Sequence, residues 1–379
     1  MNRLVGVLAV ALVAGCSTTT TGAATSPQPS RAQAPTGLKV QEVVGGLSHA
    51  WDVGFLPGGQ VLVTQRGGKL TLVKDGKATD VKADLADVKP RGEGGLMGLV
   101  VHPDFLTSHR FTTCQTSQDD VRLVTWQLSD DGTSAQRIRN PLLGGLPVNQ
   151  SGRHSGCRPT IAQDGSLLVG TGDTANGTVA QNLDSLGGKV LRISLETGAA
   201  QPDNPIAGSR VYTYGHRNVQ GVAVNPKTGQ VFTAEHGPDI DDELNLLKPG
   251  ANYGWDPGQG GTKPGYDESV PMTDLQRFPD AVPAVWVSGD PTEAISGAAF
   301  LAGAQWGDLD GTLAVAALKG SKLMLFTLTP EGGVHSVSVP AELDGKYGRL
   351  RAARLGPDGA LYVTSSNGTD DKLLKITRG

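Results

Sequence analysis

A chain of 379 residues with 33 Lys and Arg against 37 Asp and Glu has a net charge of −4, so it lacks the basic excess that a nucleic-acid partner demands. Helical periodicity is nearly absent, and 53 Gly and 23 Pro supply frequent turns, which argues against a helical fold.

The chain opens with MNRLVGVLAVALVAGC, one Arg followed by an apolar run too short to span a bilayer. Small residues end that run, and the pattern predicts a secretory signal over residues 1–15. Val13-Ala14-Gly15-Cys16 is similar to a bacterial lipobox. It implies cleavage before Cys16, lipid on its thiol, and anchoring to the outer face of the bacterial cell membrane. An ordinary signal peptide with a chance Cys is the competing reading. Residues 16–36 carry almost no large apolar side chain, so they are expected to form a flexible tether.

No second Pro/Ser-rich linker divides residues 37–379, which are many for a single core. A repeat resolves that tension. A turn with Pro, Asp or Gly, a strand of β formers, a loop and a second strand recur from residues 55, 101, 161, 223, 307 and 355. Such spacing predicts an all-β fold, a six-bladed β-propeller with long inserted loops. A pair of sandwiches or a parallel β-helix fits less well. GLKVQEVV at 37–44 predicts an extra strand that closes the ring against the last repeat. With Cys16 assigned to lipid, Cys114 and Cys157 remain as a pair in an exported protein. They either form a disulfide or stay as two buried thiols.

VYTY (211–214) and QVFTA (230–234) read as strands, which places GHRN (215–218) and EHGPDIDDELN (235–245) at strand ends. Arg217 and Asn218 beside Glu235, His236, Asp239, Asp241, Asp242 and Glu243 have the makings of an anion site next to a hard-cation site. The Gly237-Pro238 turn leaves carbonyls free, and Ca²⁺ takes carbonyl and carboxylate oxygens. Two solvated polar loops are the plain alternative. His154 lies on a loop of small residues that lets a ligand approach, and imidazole is the usual general base near neutral pH. Arg217, Lys319, Arg349 and Arg351 are expected at matched positions in the repeats, facing one funnel. Cations so placed call for a ligand with several carboxylates or phosphates.

Six motifs carry a wider likeness: GEGGLMGLVVHPDF (92–105), HSGCRPTIAQDGSLLVGTGD (154–173), QNLDSLGGKVLRI (181–193), YGHRNVQG (214–221), EHGPDIDDELNLLKPGANYGWD (235–256) and GRLRAARLGPDGALYV (348–363). From about residue 45 to the end, the chain resembles the soluble-type aldose sugar dehydrogenases (glucose/sorbosone dehydrogenases). These are propellers that use pyrroloquinoline quinone (PQQ) and Ca²⁺.

The resemblance implies oxidation of an aldose at its anomeric carbon to the lactone, with hydride passing to the quinone and electrons to an external acceptor. It implies His154 as general base and Arg217 with Asn218 on the quinone carbonyl. Lys319, Arg349 and Arg351 would hold the cofactor carboxylates. The Gly237 and Pro238 carbonyls would ligate one Ca²⁺, and Glu243 with the Tyr253 carbonyl a second, structural one. Four departures stand out. Glu93 replaces a Gln at the cofactor, Arg153 precedes the base, Cys157 replaces a Gly and Val219 a Pro. A calcium-dependent lactonase-like hydrolase and a non-catalytic sugar- or protein-binding propeller stay open beside the enzyme. In every case the membrane is a partner only through the N-terminal lipid.

Overall fold

The computed structural model describes residues 30–35, 37–263 and 265–379; the signal segment, Cys16 and most of the tether lie outside the described residues. The repeated phrase forms six sheets, each drawn mainly from one stretch of chain. Their innermost strands are Ala50–Leu56, Leu96–Val101, Arg158–Ile161, Val219–Val224, Ile295–Phe300 and Leu350–Leu355, which define blades 1 to 6. Each inner strand packs on the next and the sixth packs on the first, so the ring closes as a six-bladed propeller.

The recurring turn is the innermost hairpin of a blade. Gly58, Gly165, Gly229, Gly311 and Gly359 take φ between 73° and 91° there, a region that only glycine enters without strain. The strand that follows is covered by neighbouring blades on both faces and therefore reads as continuously apolar. LLVG (167–170), LAVAA (313–317) and LYVTS (361–365) are buried along their whole length. The core is accordingly split into layers between blades. Leu62 of blade 1 shares one with Leu96 of blade 2, and Phe232 of blade 4 meets Phe300 of blade 5 with ring centroids 5.7 Å apart.

Leu38–Leu47 pairs antiparallel with Asp371–Arg378 as the outermost strand of blade 6, ending three residues later than the expected 37–44. First and last segments are thereby zipped together, which leaves no unpaired seam in that blade. Part of the expected tether also lies on the domain, since Ser30–Arg31 runs parallel to Ser336 and Val337 of blade 5. Cys114, in the second strand of blade 2, is joined to Cys157 ahead of blade 3 by a disulfide with Cα atoms 6.2 Å apart.

One end of the ring gathers three kinds of segment: the starts of inner strands, the hairpins between second and third strands, and the connections between blades. This geometry corrects one expectation. The four cations do not occupy matched repeat positions. Arg217 lies on the connection into blade 4, Lys319 on a blade 5 hairpin, Arg349 ahead of blade 6, and Arg351 within its inner strand. Convergence comes from ring closure, which brings all three segment types to one mouth.

Candidate active site

His154 sits on the connection into blade 3 with φ 51° and a buried ring. The loop docks onto the GTGD end of that blade, where a Cβ at Gly172 would collide with the His154 carbonyl. His154 Nδ1 lies 2.8 Å from Oδ1 of Asp173, which is wholly buried. Asp173 also accepts the Ala175 N–H at 2.8 Å, the Trp255 indole N–H at 2.7 Å and the Tyr266 hydroxyl at 2.6 Å. A carboxylate that collects donors in this way requires the proton on Nδ1 and leaves the lone pair on Nε2. Among the described residues Nε2 has no protein partner, so it is the ring's free acceptor.

Glu93 is the hub between this base and the cations. Its carboxylate accepts the His154 backbone N–H at 3.2 Å, Asn218 Nδ2 at 2.7 Å and Gln220 Nε2 at 3.0 Å. Burial pushes the Glu93 carboxyl up, yet His154, His236 and these donors bring it net below its ordinary value. The Asn218 amide is thus engaged on both sides, because its oxygen accepts the Gly156 N–H at 3.1 Å.

Arg351 is buried, donates to Gln220 Oε1 at 3.0 Å, and stands 5.4 Å over the Trp51 ring. Arg158, also buried, covers the same ring at 4.0 Å. Burial first, then Arg158, lower the Arg351 guanidinium to about 9; Glu93 opposes this, and Arg66 and Arg349 add to it. Among the described residues, Arg351 Nε, Arg217 Nε and His236 Nε2 are buried without a partner. Burial lowers His236 to about 3 against the pull of Glu93, with Arg351 and Arg217 adding to the fall. Arg158 pairs with the buried Asp52 at 2.8 Å, whereas among the described residues Arg66, Arg349 and Arg351 pair with no carboxylate, so the donor set fits a ligand with several carboxylates. Lys319 stands off to one side, its Nζ donating to Thr292 Oγ1 at 3.0 Å. The Thr292 N–H in turn reaches the Asp239 carbonyl, on the turn that holds Gly237 and Pro238.

Arg217 donates through Nη1 to the His236 carbonyl at 3.0 Å and pairs through Nη2 with Glu268. Glu268 pairs with Arg153 as well. Arg153 therefore turns away from the imidazole and toward Glu268 and the Tyr266 ring, 5.6 Å from its Cζ. Tyr266 and Glu268 belong to the long connection 247–285 of blade 4.

The acidic run divides by burial. Asp242 does not face a cation: its carboxylate accepts the Gly237 N–H at 2.9 Å and the Glu293 N–H at 2.8 Å, tying the turn to blade 5. Glu243 opens a strand rather than ending a loop, and it lies opposite Glu235 in the ladder. Burial and then Glu235 push its carboxyl up to about 8. Among the described residues, the Gly237, Pro238 and Tyr253 carbonyls accept no hydrogen bond, and no three His, Cys, Asp or Glu side chains form a metal cage. A cation at either place would rely on backbone oxygen, which suits Ca²⁺.

A family model described as Glucose / Sorbosone dehydrogenase matches residues 47–375. The chain belongs to the glucose/sorbosone dehydrogenase family. Within it, the chain is 30% identical over 357 residues to the aldose sugar dehydrogenase YliI of Escherichia coli (strain K12), covering 91% of this chain and 94% of that one. The PQQ-bound aldose sugar dehydrogenase from Streptomyces coelicolor shares 32% identity at a TM-score of 0.74, covering 91% of this chain and 99% of that one. The soluble aldose sugar dehydrogenase from Escherichia coli, in its apo form, matches at 28% identity and a TM-score of 0.77, covering 90% and 100% of the two chains.

In this family member the mouth of the ring assembles His154, Arg217, Asn218, Glu93, Arg349 and Arg351 from the expected residues. Sequence reasoning missed Asp173, Gln220, Arg66, Arg158, Trp255, Tyr266 and Glu268. One signal was available: QRGGK at 65–69 and LKGSK at 318–322 align, which puts Arg66 at the position of Lys319. The Tyr266 and Glu268 segment carries no comparable pattern.

Proposed function

We propose that the protein oxidises the anomeric carbon of an aldose to the lactone, using pyrroloquinoline quinone with Ca²⁺ and passing electrons to an external acceptor. One observation carries this reading. A histidine whose Nδ1 is fixed by a buried carboxylate stands beside a set of arginines short of anions, linked to it through Glu93 and Gln220.

Arg351, Arg349 and Arg66, with Lys319 at the rim, would hold the carboxylates of the cofactor, and Arg217 would meet its carbonyl through the unpartnered Nε. When bound, the quinone supplies the acceptor for the hydride that leaves C1 of the sugar. His154 Nε2 takes the proton of the anomeric hydroxyl, and Asp173 stabilises the imidazolium that forms. Such a positioned base contributes roughly 10² to 10⁴ in rate. The Gly237 and Pro238 carbonyls would hold Ca²⁺ beside the cofactor, where it acts as a Lewis acid. Glu243 and the Tyr253 carbonyl would hold a structural Ca²⁺. The funnel is lined by cations, which disfavours a hydrolase built on a ring of carboxylates. For Cys16 we propose a lipid anchor that keeps the domain outside the cell membrane; it rests on the residue pattern at 13–16.

Loading the purified chain with the quinone and Ca²⁺ and following dye reduction with glucose and other aldoses tests the reading. Sugar-dependent turnover that needs both additions is expected. A protein that binds sugar but never reduces the dye would favour the binding propeller.

A further inference from the structure

We propose that Tyr266 and Glu268 are positioning residues, two prongs of one strap that set the His154–Asp173 pair and the Arg217 guanidinium together. The proposal deepens the reading above, since it takes His154 as the base and Arg217 as the cofactor contact.

Tyr266 and Glu268 both reach the mouth of the ring, at Asp173 and Arg217, while the Asp267 carboxylate between them binds its own segment. Asp267 holds the stretch in place. Its Oδ1 accepts the Ser269 N–H at 3.0 Å, its Oδ2 accepts Gln259 Nε2 at 3.0 Å, and its own N–H reaches the Pro257 carbonyl at 3.0 Å. Tyr266 and Glu268 both meet Arg153, and Tyr266 also meets His154. Tyr266 lies 5.8 Å from the His154 ring and under the Arg153 guanidinium, and Glu268 pairs with Arg153.

Each prong has a distinct effect. The Tyr266 hydroxyl and the Trp255 indole both donate to Asp173 Oδ2, which turns Oδ1 toward His154 Nδ1. The same hydroxyl oxygen lies 3.2 Å from Nδ1, so it also limits rotation of the ring. Glu268 takes Nη2 of Arg217 while the His236 carbonyl takes Nη1, and Nε is left as the donor without a partner. Without Glu268 the guanidinium would be free to turn a different edge to the funnel. Outer partners of this kind typically tune affinity or activity by about 10- to 100-fold.

The test uses the full chain carrying Tyr266→Phe or Glu268→Gln, with three readouts. Quinone affinity comes from quenching of tryptophan fluorescence, kcat and KM from dye reduction, and the state of the His154 ring from ¹⁵N NMR of the cofactor-free protein. The ring signal is identified by its loss in His154→Gln. Tyr266→Phe should shift the His154 ring resonance and lower kcat about 10-fold, with sugar KM and quinone affinity within about twofold of wild type. Glu268→Gln should leave the His154 resonance in place and weaken quinone affinity about 10-fold, because losing the charged hold on Arg217 outweighs the relief of repulsion between Glu268 and the anionic quinone. Unfolding midpoints check that both variants stay folded, since Tyr266→Phe removes a donor from the buried Asp173 carboxylate. A Tyr266→Phe protein with wild-type kcat and an unmoved ring resonance would overturn the strap, as would Glu268→Gln with wild-type quinone affinity. If wild type takes up no quinone while Tyr266→Phe still moves the resonance, the functional reading fails and the Tyr266 prong stands.

Discussion

Glu93 and Arg351 are joined through a single side chain. Gln220 donates to Glu93 Oε2 at 3.0 Å and accepts from Arg351 Nη1 at 3.0 Å, so the carboxylate and the guanidinium share one neutral bridge and do not pair directly. Glu93 is met by neutral donors and by no directly paired cation, so its charge still opposes an anionic ligand at the same mouth. Glu93→Gln keeps the shape and removes that charge. The quinone should bind about 10-fold more tightly to the variant, equivalent to about 1.4 kcal/mol. Weaker binding in a calorimetric titration would show that the charge helps the cofactor.

Asp173 fixes the tautomer of His154, and Asn at 173 would present an amide to Nδ1 in place of a pure acceptor. Asp173→Asn is expected to lower kcat by about 10² to 10⁴ with sugar KM and quinone affinity little changed. A fall confined to KM would place Asp173 in sugar binding.

The fold was legible because five of the six blades repeat a Gly-bearing turn before an apolar strand, and because the alternating strand after residue 37 had one free seam to fill. His154 was legible because it sits among small residues on a loop, and Arg217 because it sits beside an amide at a strand end. Tyr266 was not, since it reaches His154 across 112 residues from a connection with no periodicity. Asp242 misled for a related reason: spacing does not tell whether a carboxylate faces a cation or the N–H groups of its own turn, and here it faces the N–H groups. Arg66 had a repeat partner in Lys319, but the alignment of the two hairpins gains meaning only once the ring is closed.

The calcium proposal carries a pH signature. Glu243 has its folded value raised to about 8, above its unfolded one. Such a group stabilises the cation-free fold at low pH, and that contribution is lost as pH rises through about 8. Ca²⁺ binds the ionised carboxylate, so its benefit must grow across the same window. At a hundredfold excess over Kd, Ca²⁺ should stabilise by about 2.7 kcal/mol near pH 9 and by much less near pH 5. Melting curves with Ca²⁺ and with chelator at the two pH values decide this, and an equal shift at both would remove Glu243 from the site.

Cys16→Ser deletes the lipid acceptor and should move the protein from the membrane fraction to the soluble or secreted one. Retention in membranes after that change would rule out the lipid anchor.

The central claim is that Arg351 and its neighbours hold an anionic quinone beside the base His154. The most direct measurement is calorimetric titration of the quinone, with Ca²⁺ present, into wild type, His154→Gln and Arg351→Ala, paired with turnover of each loaded protein. Wild type should show one saturable site. His154→Gln should keep that affinity and lose turnover by at least about 10², and Arg351→Ala should lose about 1.5 to 3 kcal/mol of affinity. Wild type without binding heat, or His154→Gln turning over at the wild-type rate, would contradict the account.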